Sequence, residues 1–300
     1  MPTTHNTGGR LEPRTAAQNG EHHCRFCAAG NSAYANPVGS ACNPNCSTGP
    51  DLSGFEDALA LFAPACTQDL NRVALQKRTD TKFLLPFDAA CGLVAELTGD
   101  YKLLRAAARG IATYRTLYFD TADLDSYHMH RRGYRRRQKF RIRHYVDRSV
   151  SFIELKQRLG TSRTIKMRRE LESCGNLWPK ADFTTLGSGI CVRGSLRPQV
   201  WTDFQRITLV AGGAPERVTI DCNLRFANAD NHLDLLRVVV VEVKQERFCN
   251  RTPIMGTLRR MGARPRKFSK YCAAVMILHP GIRRNRLLPQ LRAMERLEHG

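Results

Sequence analysis

Cations recur at every second residue of Tyr134–Val146, a spacing that could bind a row of phosphate groups. Successive side chains of a strand point to opposite faces, so this segment, read as a strand, separates its residues into two sets. One face then carries five cations: Arg135, Arg137, Lys139, Arg141 and Arg143. The opposite face becomes apolar at Phe140 and Ile142, which is typical of a face that packs on a core. Because five neighbouring cations repel one another, the pattern indicates an anion among them.

Two later segments alternate in the same way but mix carboxylates with the cations. Ser151–Arg158 directs Phe152, Glu154, Lys156 and Arg158 to one face, and Thr164–Leu171 directs Thr164, Lys166, Arg168 and Glu170 to one face. Arg and Lys hold phosphate oxygens, and a carboxylate such as Glu154 can hold a divalent metal. A solvated outer face of an antiparallel sheet is the alternative interpretation of each strand taken singly.

The mixed-charge face recurs in three more parts of the chain. Arg78, Asp80 and Lys82 alternate in the segment 78–86, and Arg217, Thr219 and Asp221 alternate in a strand predicted at 215–222. Glu242 beside Lys244 repeats the arrangement of Glu154 and Lys156. We therefore expect many strands of one sheet to share a single charged face.

The elements that must position these residues are strands with helices packed beside them. Strands are predicted also at 113–121, at 200–208 and over Leu235–Glu246, and turn residues separate several of them. Apolar residues at helical spacing predict helices within Asp51–Leu75, over Phe87–Leu104 and over Pro253–Met261. This order of elements predicts an α+β fold built on an antiparallel sheet.

The charge of the chain is large and uneven. The formal net charge of the 300 residues is +20, with 47 Lys and Arg against 27 Asp and Glu. Residues 1–70 hold 3 basic and 6 acidic residues, which leaves 44 and 21 for residues 71–300, a net charge of +23. The basic surface therefore belongs to the second part, and it favours nucleic acid, an anionic membrane or phosphate-rich molecules as partners.

The location that we expect is cytoplasmic. No run of about 18 apolar residues predicts a transmembrane segment, and the first thirty residues have no apolar core of a signal peptide. The cysteines after residue 70 are scattered singly, as is typical of reduced thiols.

The first fifty residues differ from the rest of the chain in composition. They are rich in Gly, Asn, Pro, Ser and Thr, and we expect a disordered polar tail. Cys24 and Cys27, followed by Cys42 and Cys46, leave open a zinc site of four thiolates, but incidental cysteines in a tail are the favoured interpretation. At the other end, Arg283–Glu298 predicts a basic amphipathic helix, either solvated or in contact with an anionic membrane.

In order and spacing, these segments resemble the VTC (vacuolar transporter chaperone) polyphosphate polymerase domain. That domain belongs to the triphosphate tunnel metalloenzyme, or CYTH-like, superfamily. The resemblance covers roughly residues 55–280 and rests on these stretches: RTDTKFLLP at 78–86, YRTLYFDTADLDSYHMHRRGYRRRQKFRIRHY at 114–145, FIELKQR at 152–158, RTIKMRRE at 163–170, RVTID at 217–221, VVVEVKQ at 239–245 and KFSKY at 267–271. One departure is Asp80, which stands where the wider superfamily has a Glu.

The resemblance implies an antiparallel β-barrel tunnel with flanking helices, in which cations bind a triphosphate and a growing polyphosphate chain. On this basis the catalytic residues are Lys82, Arg141, Arg143, Lys166, Arg217, Glu242 and Lys270. The substrate-binding residues are Arg78, Arg137, Lys139, Lys156, Arg206, Lys244 and Ser269. Glu242, with Glu154, would hold a divalent metal, Mn²⁺ or Mg²⁺.

The function that follows is transfer of the ATP γ-phosphate onto polyphosphate, by a domain spanning residues 51–282. The expected partners are ATP and inorganic polyphosphate, not nucleic acid, and a membrane-associated partner stays open. A nucleic-acid surface would interleave aromatic side chains with the cations, whereas here the aromatic residues often fall on the opposite face. Two alternatives keep the tunnel: a triphosphatase, in which water is the acceptor, and a module that binds polyphosphate without turnover.

Overall fold

The computed structural model describes residues 10–15, 51–73, 78–160, 163–171, 181–187 and 194–300. In these parts of the chain, eleven strands form one sheet in which every pairing is antiparallel. The strands are β1 (Arg14–Thr15), β2 (Thr79–Pro86), β3 (Tyr101–Leu103), β4 (Ile111–Asp120), β5 (Arg137–Tyr145), β6 (Val150–Leu159), β7 (Arg163–Leu171), β8 (Arg197–Ala211), β9 (Glu216–Ala227), β10 (Asn231–Leu235) and β11 (Val238–Gln245).

Seven α-helices flank the sheet within the described residues. They are α1 (Ser53–Ala60), α2 (Thr67–Arg72), α3 (Phe87–Glu96), α4 (Asp125–Arg132), α5 (Pro253–Arg260), α6 (Lys270–Leu278) and α7 (Leu288–His299). The predicted combination of an antiparallel sheet and flanking helices is therefore confirmed. No helix in these ranges has the length and apolar character needed to span a membrane.

The main run of the sheet follows the order β2, β11, β9, β8, β4, β5, β6, β7. Along the described strands the hydrogen bonding does not join the two end strands, β2 and β7, so a closed barrel is not formed by backbone pairing. The sheet nevertheless curls. The sign of this is that Lys156 on β6 lies close enough to Asp80 and Lys82 on β2 to interact with them electrostatically. Six pairings separate these two strands along the sheet, and a flat sheet would hold them far apart.

The outer face of the curled sheet is apolar. Alternate residues such as Val241 on β11, Ile220 on β9 and Phe83 on β2 are buried beneath α1, α3 and α5. A second outer cluster covers β4, β5 and β6, where Phe140 and Ile153 pack with Phe183. These two clusters contain the apolar residues that alternate with the charged residues along the strands.

The inner side of the curl is filled in part by α6, a helix that is buried from Tyr271 to Leu278. It packs with Tyr118 and Phe204 from the sheet and with Leu291 and Met294 from α7. The C-terminal helix, predicted to begin at Arg283, begins at Leu288 instead. Its residues Leu291 and Met294 share a core with the sheet. Helix α6 leaves the remainder of the inner face to charged side chains.

Four other local predictions differ from the structure. The helix predicted over Phe87–Leu104 ends at Glu96, and Tyr101–Leu103 pairs with β8 as a strand. The long strand predicted over Leu235–Glu246 is divided between β10 and β11. The cationic strand begins at Arg137, so Arg135 precedes it as an exposed residue.

The fourth difference concerns the predicted tail. Within it, β1 pairs with β10, and Leu11 is buried in the inner core. The four cysteines of the possible zinc site lie outside the described residues.

Candidate functional site

Three carboxylates, each between two cations, form the centre of the inner face. The first is Glu242 on β11, whose two oxygens pair with the ammonium groups of Lys82 and Lys244. The strand register places Lys82 directly opposite Glu242 on β2. Burial alone raises the pKa of Glu242, but Lys244 and Lys82 outweigh it and hold the pKa well below its ordinary value. Glu242 is therefore ionised, and its side chain is still 17% exposed.

The second carboxylate is Asp221 on β9, which joins the sheet to α6. Arg206 donates to its two oxygens at 2.5 and 2.7 Å, and Lys270 pairs with it from the first turn of α6. Burial opposes ionisation, yet Arg206 and Lys270 hold the pKa of Asp221 below its usual range. Ser269 caps the same helix by accepting a hydrogen bond from the Cys272 amide at 3.3 Å. Asp221 thus fixes two predicted phosphate-binding cations.

The third carboxylate is Glu154 on β6, and its side chain is only 1% exposed. Arg141 donates to it at 2.6 Å, and Lys166 of β7 pairs with its other oxygen. Burial raises the pKa of Glu154, but these two cations and Arg143 bring it down to about 2. The group is therefore a buried anion that holds two cations in place.

Two aromatic rings form a floor beneath the central guanidinium groups. Arg143 lies 5.6 Å from the ring centre of Tyr114, and Arg206 lies 5.1 Å from it. Both guanidinium groups also lie over Phe204, at 5.8 and 5.1 Å. Cation–π contacts fix Arg143 without neutralising it, so its charge stays available to a ligand, whereas Arg206 is also paired with Asp221.

Several further cations on the face form no ion pair with a carboxylate among the residues that the structure describes. Lys139 donates to the Ser269 hydroxyl at 2.7 Å, and Arg143 donates to Thr116 at 3.2 Å. The Nε of Arg217 is buried with no hydrogen-bond partner among the described residues. A bound anion would give the Arg217 Nε the hydrogen-bond partner that the described residues do not supply.

Lys156 and Lys244 show how strongly the face favours an anion. Desolvation lowers the pKa of Lys156 to about 8, and Lys82 and Lys139 add to the effect. Desolvation likewise lowers the pKa of Lys244 to about 8, against the opposing charge of Glu242. Although Lys156 reaches solvent, the surrounding protein displaces much of its hydration, as expected for a group within a concave surface.

We call this inner surface the basic face. We define it by ten of its cations: Lys82, Lys139, Arg141, Arg143, Lys156, Lys166, Arg206, Arg217, Lys244 and Lys270. The definition includes four of its carboxylates: Asp80, Glu154, Asp221 and Glu242. The surplus of positive charge within a concave, partly desolvated surface favours the binding of a polyanion.

The structure brings together most of the residues predicted from sequence. The exceptions lie at the margins: Arg78 pairs with Asp80 at 2.9 Å at the start of β2, and Arg137 donates to the Tyr134 carbonyl at 2.8 Å beside α4. Asp221 and the aromatic floor were not predicted. The alternation of Arg217, Thr219 and Asp221 placed Asp221 on the charged face, but its pairing with Arg206 depends on the register of β8 and β9.

Helices α4 and α6 are held against the sheet by one buried carboxylate, Asp120 at the end of β4. It accepts hydrogen bonds from the amides of Ser126 and Tyr127 at 2.9 and 3.1 Å, and from the Tyr271 hydroxyl. This contact sets the position of α6 and hence of Lys270. Sequence patterns gave no indication of it.

A divalent metal fits one of the two predicted ligands better than the other. Glu242 is ionised and partly exposed among phosphate-binding cations, so one of its oxygens could bind Mg²⁺ or Mn²⁺ while phosphate and water complete the shell. Glu154 is almost fully enclosed by its two cations. Within the described residues, no group of three His, Cys, Asp or Glu side chains forms a metal cage. A metal here would depend on the phosphates of the ligand.

These features define the class of protein, one built on an antiparallel sheet with a curled, strongly cationic inner face. The VTC domain family model matches residues 77–279, and the chain belongs to this family. The sequence stretches quoted above for the resemblance lie in β2, β4, α4, β5, β6, β7, β9, β11 and the start of α6. No curated protein sequence matches the chain.

Solved structures give weaker similarities. A putative adenylyl cyclase from Hippeastrum, described as having a dominant triphosphatase activity, has 14% identity and a TM-score of 0.40, over 67% of this chain and 96% of its own. A putative adenylate cyclase from Bacillus halodurans has 12% identity and a TM-score of 0.37, over 62% and 89%. A conserved hypothetical protein from Pyrococcus furiosus has 13% identity and a TM-score of 0.36, over 64% and 97%. Similarity at this level does not assign an activity to this chain.

Proposed function

We propose that the protein is a metal-dependent polyphosphate polymerase that transfers the γ-phosphate of ATP onto a growing polyphosphate chain. Membership of the VTC domain family supports this proposal. The observation that carries it is the basic face, where ten cations surround four carboxylates on one curled surface. A linear chain of phosphates has the charge and the repeat to occupy such a surface.

The cations have two roles in this proposal. Lys82, Arg217 and Lys244 surround Glu242 and would bind the triphosphate of ATP near the metal. Arg141, Arg143, Lys166, Arg206 and Lys270 would hold the acceptor chain. Phosphoryl transfer needs in-line positioning and neutralisation of charge more than covalent catalysis, and fixed cations supply both.

The buried carboxylates serve as positioning residues. Asp221 and Glu154 hold Arg206, Lys270, Arg141 and Lys166 in defined places before any ligand arrives. Preorganised charges need little rearrangement when the transition state forms. A metal bound at Glu242 would neutralise phosphate oxygens and orient the γ-phosphate.

The nature of the acceptor separates the polymerase from a tunnel triphosphatase. A phosphate chain that fills the basic face displaces water from the γ-phosphate and favours transfer over hydrolysis. We propose that residues 51–282 form this transferase domain and that the described part of the tail contributes to its fold. A module that binds polyphosphate without turnover is the remaining alternative.

The test is ATP turnover with Mn²⁺ or Mg²⁺, with polyphosphate resolved from free phosphate. Glu242→Gln should lower turnover by at least about 100-fold, because it removes the metal ligand and the charge between Lys82 and Lys244. Glu96→Gln is a matched control, since Glu96 pairs with Arg260 on the outer surface at 2.6 Å and should leave turnover unchanged.

The products decide among the three candidates. Polyphosphate made by the wild type and lost in Glu242→Gln supports the polymerase. Free phosphate alone, lost in the same variant, makes the protein a triphosphatase. Binding of polyphosphate with no turnover leaves a binding module and contradicts the proposal.

A further inference from the structure

A second cluster of arginines lies outside the basic face, where α4 meets the segment that precedes α7. We call it the arginine patch and define it by five exposed residues: Arg132, Arg135, Arg136, Arg283 and Arg286. Two chain segments about 150 residues apart build it. Residues 126–146 and 279–294 contain no Asp or Glu, so neither segment supplies a neutralising charge.

Specific contacts hold the two segments together. Arg286 donates to the carbonyl of Arg132 at 3.0 Å, at the end of α4. Arg131 donates to the side chain of Asn285 at 2.9 Å, and the Tyr127 hydroxyl donates to the carbonyl of Arg283 at 3.0 Å. Within the described residues, none of the five patch arginines forms an ion pair. The fold therefore collects repelling charges and leaves them open to solvent.

The patch continues the basic face. Arg137 follows Arg136 directly, begins β5 and lies close enough to Arg158 on β6 to lower its own pKa, after the larger effect of burial. His130 on α4 is half-buried, and its pKa is lowered to about 2 because desolvation and then Lys139, Arg137 and Arg158 oppose its protonation. Arg137 also donates to the carbonyl of Tyr134 at 2.8 Å, so the start of β5 links the basic face to the segment that carries Arg135 and Arg136.

We propose that the arginine patch binds the part of a linear polyphosphate chain that extends beyond the basic face. The inference rests on the proposed function for its ligand, because a chain held on the basic face would have its next phosphates beside this patch. Guanidinium groups bind phosphate oxygens through paired donors, and a row of them suits a repeating polyanion. The single exposed aromatic residue there, Tyr134, gives no series of rings on which nucleic-acid bases could stack.

The test compares two ligands, tripolyphosphate and long-chain polyphosphate, by calorimetric titration at several salt concentrations. In Arg135→Gln/Arg136→Gln, the Kd for long-chain polyphosphate should rise about tenfold, and its dependence on log salt should become shallower by about two. The Kd for tripolyphosphate should not change, because that ligand fits within the basic face. Arg283→Gln, from the other segment, should shift the long-chain Kd in the same direction by a smaller factor.

The matched control is Arg251→Gln/Arg259→Gln, which removes two exposed arginines next to and within α5 on the outer side of the sheet. It should leave both Kd values unchanged. Equal losses for both ligands in the patch variant would overturn the inference. So would an unchanged long-chain Kd, or a loss confined to binding of phosphatidylserine vesicles. Because the polyphosphate in this experiment is added to the protein, these results are independent of whether the wild type makes polyphosphate from ATP.

Discussion

The two faces of the same sheet have opposite chemistry. On β11, Val239, Val241 and Val243 are fully buried on the outer face, while Glu242 and Lys244 between and beside them lie on the inner face. Burial of apolar surface on the outer face stabilises the folded protein. Repulsion between cations and their partial desolvation on the inner face offset part of this stabilisation. One face therefore stabilises the fold, and the other is preorganised for an anion.

The comparison predicts that substitutions on the two faces of β9 affect different properties, one the free energy of unfolding and the other the affinity for tripolyphosphate. Ile220 is fully buried on the outer face, so Ile220→Ala should lower the free energy of unfolding by about 2–5 kcal/mol. The Kd of the remaining folded protein for tripolyphosphate should be unaffected. Urea denaturation measures the first quantity and calorimetry the second. Unchanged stability would show that the outer cluster is not the core that supports the inner face.

Arg217, three residues earlier on the inner face, should give the reverse result. Its Nε has no partner in the described structure, and its pKa is lowered first by burial and then by nearby cations. Arg217→Gln should weaken tripolyphosphate binding by roughly tenfold, the lower end expected for a lost hydrogen bond to a charged group. The free energy of unfolding should stay constant or increase. Arg260→Gln, on the outer surface, is the control, and equal binding by both variants would contradict the assignment.

The pH dependence of binding gives the smallest expected effect. Lys156 has a pKa of about 8, and a bound phosphate would raise it, so protonation and anion binding favour each other. Lys156→Gln should therefore weaken tripolyphosphate binding at neutral pH, and the ratio of its Kd to the wild-type Kd should fall about fivefold between pH 7 and pH 9. Taking the ratio cancels the titration of the ligand itself. A ratio independent of pH would mean that Lys156 does not face the anion.

Much of the sheet could be predicted because strand alternation is local. The segment 78–86 differs from β2 by one residue at its start, and Thr164–Leu171 differs from β7 likewise. The sequence of Tyr101–Leu103 predicts the end of a helix instead of a strand, because Leu97, Leu103 and Leu104 also fit a helical spacing. Its pairing with β8 is a contact over about 100 residues, which no local pattern contains.

The site was predictable in its residue types and not in its pairings. Alternation placed Lys82, Glu242 and Arg217 on charged faces, and the resemblance to the VTC family indicated that those faces converge. Asp221 was not recognised as the partner of Arg206 and Lys270, because that contact requires a strand register and the position of α6. Asp120, which holds α6 through Tyr271, was missed for the same reason.

The most direct test of the central claim is a crystal structure of the protein with tripolyphosphate and Mn²⁺. The account predicts the phosphates on the inner face, in contact with Lys82, Arg206 and Lys270, and the metal on Glu242. Phosphates bound only at the outer surface, with the ion pairs of Glu242 and Asp221 undisturbed, would contradict it.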